Sequence, residues 1–68
     1  MNYETIEGKI IRILNSNNDF PAVIPLYTEA TRSLNGVDFS SINNMISEKW
    51  GKDTLNTIKR ISDINNSR

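Results

Sequence analysis

A single glycine, Gly51, stands between two segments whose apolar residues recur every three or four positions: Ile42, Met45, Ile46 and Trp50 before it, Leu55, Ile58 and Ile61 after it. That period lines the apolar side chains along one stripe of an α-helix, whereas a half-buried strand needs strict alternation. The chain can therefore bury these residues only by packing helices against one another. Two earlier segments carry the same signature. Tyr3, Ile6, Ile10, Ile13 and Leu14 share one arc, with Lys9 and Arg12 turned away, and Val23, Leu26, Tyr27, Ala30 and Leu34 share another.

The boundaries of these segments have physical causes. Asn15 to Asp19 is a run of side chains that hydrogen-bond the backbone in competition with helix, and it reads as a loop. Pro21 and Pro25 are tolerated in a first helical turn, where the missing N–H has no partner to lose, so the second helix starts near Pro21 or, if later, with Pro25 in that place. Asn35-Gly36 is a stop, because glycine accepts the left-handed conformation that closes a helix. Asp38 or Ser40 caps the third helix, Gly51 ends it, and Asp53 or Thr54 caps the fourth. Ile64 drifts off the last stripe, and residues 65–68 have no apolar anchor, so they are expected to fray. The expectation is an all-α fold: one helical domain over residues 1–64, a small orthogonal or up-and-down bundle of three to four helices, and a C-terminal hairpin resembling a helix-turn-helix.

Size makes this core thin. Folding 68 residues removes only about 60% of the surface that the unfolded chain exposes, and hydrophobic residues are just 37% of the sequence. A stable monomer and a dimer sharing apolar surface both fit. Eight basic residues balance eight acidic ones, so no overall field draws the molecule to nucleic acid or an anionic membrane. Residues 1–40 hold three basic and five acidic side chains, and residues 41–68 the reverse. There is no cysteine to form a disulfide, no basic segment followed by an apolar signal run, and no stretch near the ~18 apolar residues of a membrane span. The expected location is intracellular, in the cytoplasm and not in a membrane.

The absent residue types exclude most chemistry. Without histidine or cysteine there is no Ser-His-Asp triad, no Cys-His pair and no ordinary zinc or haem site. Gly8, Gly36 and Gly51 are isolated, so no phosphate loop forms. Glu4 and Glu7 lie three apart on the first helix, where the helix dipole favours acidic side chains, and that accounts for them without a catalytic pair. The chain is expected not to be an enzyme, with no cofactor, no metal and no small-molecule substrate.

Two functional readings remain. In the first, the chain is a small helical binding module that docks on another protein or on a second copy of itself. Trp50, large and rigid at the edge of its stripe, either closes the core or anchors such a contact. Ile11 and Ile24, off the stripes of their helices, and Ile64 complete the contact set. In the alternative, nucleic acid is the partner: the last third resembles a helix-turn-helix, with Asn56 and Arg60 placed to read bases and Lys52 and Lys59 to hold phosphates. Asp63 on the same face and the zero net charge both oppose a phosphate backbone, so docking on protein is preferred.

Overall fold

The computed structural model describes residues 5–33 and 36–67. Among them are four α-helices and one 3-10 turn: α1 (Ile6–Leu14), the 3-10 turn (Phe20–Val23), α2 (Ile24–Arg32), α3 (Phe39–Trp50) and α4 (Lys52–Asn66). This is the small all-α bundle expected from the apolar stripes. Tyr3, Glu4, Leu34, Asn35 and Arg68, all used in the sequence reading, lie outside the described residues.

Capping follows the short polar side chains. The Thr5 hydroxyl accepts from the Gly8 N–H at 3.0 Å to start α1, and the Asp38 carboxylate accepts from the Ser41 N–H at 3.1 Å to start α3. Both alternatives for the second helix occur in succession. Pro21 sits in the first turn of the 3-10 segment, capped by Asp19, and Pro25 in the first turn of α2.

The start of α4 corrects the expectation of a cap at Asp53 or Thr54. Gly51 adopts φ 95° and ψ 162°, conformations open to glycine, and turns the chain within one residue. Its N–H donates to the Ser47 carbonyl at 2.8 Å and its carbonyl accepts from the Leu55 N–H at 3.1 Å. One residue thus closes α3 and opens α4 at Lys52, leaving no stretch in which a separate side-chain cap could stand.

Long-range hydrogen bonds give the directions of the helices. The Asp38 N–H donates to Glu7 Oε1 at 2.9 Å, joining the beginnings of α1 and α3, while Lys49 Nζ donates to the Ser16 carbonyl at 3.4 Å near their ends. These two helices therefore run side by side in the same sense. Thr28 pairs with Ser62, and Thr31 and Arg32 with Asn66, so α2 and α4 are likewise parallel. Both α1 and α4 pack on α2 and α3, which places α1 and α4 diagonally across the core.

Ile10, Leu14, Val23, Tyr27, Ile42, Ile46 and Ile58 form that core, with Leu26, Met45, Trp50 and Leu55 half-buried around it. The α2–α4 contact also buries two polar residues, Thr28 and Ser62, and no buried side-chain nitrogen or oxygen among the described residues lacks a partner. The same seam continues to the C-terminal end of α4. Asn66 Nδ2 donates to Thr31 Oγ1 at 2.6 Å, and Arg32 donates to the Asn66 side chain and to the Asn65 carbonyl, so a polar anchor carries α4 through Asn66 where no apolar one exists.

Candidate functional site

Parallel packing of α1 and α3 leaves a groove of about 320 Å³ lined by Ile11, Leu14, Asn15, Met45, Glu48 and Lys49. Its floor is apolar because Leu14 belongs to the core while Ile11, one turn earlier, faces outward enough to stay half-buried. Met45 supplies an unbranched, polarisable side chain that adapts to different partners. Glu48 and Lys49 give the rim both signs of charge. Lys49 is held at the Ser16 carbonyl and stands over the Trp50 ring, with Nζ 5.5 Å from the ring centroid.

The four side chains named for protein contact are thereby distributed. Ile11 lies in the groove, and Trp50 adjoins it through Lys49, half-buried against the core. Ile24, in the first turn of α2, also packs on the core. Ile64 is 51% exposed near the far end of α4, away from Trp50 at the turn. The groove adds Leu14, Met45 and Lys49 to the set. Leu14 and Met45 belong to the apolar stripes read from the sequence and Lys49 carries no such signal, and only the shared direction of α1 and α3 brings the three together.

Lys52, Asn56, Lys59 and Arg60 all lie exposed on α4, together with Asp53 and Asp63. The exposed face of α4 thus carries both signs of charge. Phe39 and Asp63 stand equally far from Gly51, as do Asn43 and Lys59, and all four line one concavity of about 300 Å³. α3 and α4 pack against each other on either side of Gly51.

That second concavity is completed by Tyr27, Thr31 and Ser62. The Tyr27 hydroxyl donates to Asn43 Oδ1 at 2.8 Å, and its ring meets Phe39 edge to face, with centroids 5.5 Å apart and planes at 66°. Burial, reinforced by the negative charge of Asp63, raises the Tyr27 pKa above its ordinary 10.0.

Among the described residues no group of three or more acidic, histidine or cysteine side chains is gathered as a metal would require, and no helix is long and apolar enough to cross a membrane. Comparison with known proteins finds no family model, no curated protein and no solved structure that matches this chain.

Proposed function

We propose that the chain is a non-catalytic helical binding module, working inside the cell, that docks a partner protein or a second copy of itself on the α1–α3 face. The observation that carries this reading is the groove over Ile11, Leu14 and Met45, apolar below and bordered by Glu48 and Lys49. A groove between two helices can take apolar side chains spaced by three or four on a partner helix. Rim charges of both signs fix the orientation of such a partner more than they add affinity. A volume of about 320 Å³ accommodates one or two large side chains of a partner.

Affinity capture with a matched set of baits tests this. A protein retained by the wild-type chain is expected to be lost by Ile11→Asp, which places a charge on the groove floor, and kept by Lys59→Ala with Arg60→Ala on α4. Size measurement by light scattering reports the self-association branch with the same variants. Equal retention by all three baits, or retention of nucleic acid that follows the α4 charges, would contradict the proposal.

A further inference from the structure

The concavity between α2, α3 and α4 is independent of the α1–α3 face, and its groups are left open in a particular way. Tyr27 and Phe39 form an aromatic floor. Because the Tyr27 hydroxyl donates to Asn43 Oδ1, the amide is held with Nδ2 free to donate, and that nitrogen has no partner among the described residues. Lys59 and Asp63 line the same concavity one helical turn apart, about 6 Å along the axis, and neither charged group has a hydrogen-bond or ion-pair partner among the described residues.

We propose that this groove binds a small amphoteric molecule: an apolar body carrying both a carboxylate and a protonated amine, of the size of a free amino acid. A simple anion would be drawn to Lys59 and repelled by Asp63, and a simple cation the reverse. A ligand bearing both signs satisfies both, with its carboxylate taking hydrogen bonds from Lys59 Nζ and Asn43 Nδ2 and its ammonium donating to Asp63. Its apolar part lies on the half-buried ring of Phe39, which Tyr27 supports from the core. The volume of about 300 Å³ is at the lower end of small-molecule sites, which span roughly 300–1,000 Å³, and matches a ligand of amino-acid size. Nothing in the groove acts on the ligand; it is held, not converted.

The experiment is a nitrogen–proton correlation NMR titration of the intact chain with L-phenylalanine, N-acetylphenylalanine and phenylalaninamide. The expected result is saturable shifts at the Asn43 side-chain amide and at Tyr27 and Ser62, with either blocked derivative weaker by about tenfold, as the loss of one charge-assisted pair implies. Lys59→Gln should abolish the difference between phenylalanine and its amide, and Asp63→Asn the difference between phenylalanine and its acetyl derivative. Both residues are exposed, so the variants keep the fold, which circular dichroism checks. No saturable shift at these residues up to roughly 10 mM ligand, already the weak end of specific binding, would overturn the proposal. So would derivatives binding as well as phenylalanine, or shifts at the same residues caused by protein concentration alone, which would mean that a second copy covers the groove.

Discussion

The hydroxyls of Thr28 on α2 and Ser62 on α4 share a hydrogen bond of 3.0 Å inside the bundle, where both residues are almost wholly buried. Two small polar side chains at this point let the parallel helices approach closely, and Thr31, Arg32 and Asn66 continue the seam to the surface. Ser62→Ala should cost only about 1 kcal/mol, because Thr28 keeps its bond to the Ile24 carbonyl at 2.9 Å. Ser62→Leu should cost more, about 1–3 kcal/mol, since the helices must part to admit the larger side chain. Urea melts of the two variants rank them, and a leucine variant as stable as the alanine one would contradict the close approach.

Gly51 should resist replacement for a backbone reason alone. A Cβ built there meets nothing within 4 Å, yet φ of 95° with ψ of 162° is a conformation that an L-residue adopts at a cost of about 1–3 kcal/mol. Gly51→Ala is therefore expected to lower the melting temperature by several degrees. Synthesis of the chain with D-alanine at this position should restore it, because the mirror-image residue reaches that region without strain. Equal loss with both enantiomers would place the problem elsewhere.

Stability in alkali should depend on Tyr27. Its folded pKa lies above the ordinary 10.0, because burial and the charge of Asp63 favour the neutral phenol. The unfolded chain therefore loses this proton first as pH rises, and the stability contributed by the buried phenol is fully present below about pH 10 and lost as pH passes through the folded pKa. Tyr27→Phe removes the titration. Denaturant melts from pH 8 upward should show the wild type losing stability relative to Tyr27→Phe only above about pH 10. A constant difference across that range would contradict the burial of the hydroxyl.

Two isoleucines on the same helix should behave in opposite ways. Ile58 is fully buried in the core, whereas Ile64 is 51% exposed. Ile58→Ala is expected to cost about 2–5 kcal/mol through lost burial and the cavity left behind. In a domain this small such a loss is a large share of the total stability. Ile64→Ala should stay within about 0.5 kcal/mol of wild type. Thermal melts distinguish the two, and comparable losses would mean that the outer face of α4 is covered.

The helices were legible because their apolar stripes obey one period, and Asp38 and Gly51 were legible because few other side chains could do their work at those places. The neighbours of each helix were not. Periodicity tells which face of α1 or α3 is apolar, but not that these helices lie side by side in the same sense, and the groove over Ile11 and Met45 exists only through that pairing. Thr28 and Ser62 carried no signal either, since a hydroxyl that faces water and one that bridges two helices look identical until the partner is known. Glu7 was legible as an acidic residue in a first turn, yet its bond to the Asp38 N–H joins positions 31 residues apart. For the α4 face, Lys52, Asn56, Lys59 and Arg60 were correctly placed together on the exposed side, because they lie opposite the apolar stripe of that helix.

The proposal that the α1–α3 groove is a docking surface is tested most directly by the NMR spectrum of the isotope-labelled chain in lysate of the cells it comes from, compared with its spectrum in buffer. Binding of a partner should broaden the signals of Ile11, Leu14, Met45 and Lys49 and the indole N–H of Trp50 before others, and Ile11→Asp should abolish that selectivity. A spectrum unchanged from buffer, or broadening confined to Lys52, Asn56, Lys59 and Arg60, would contradict it.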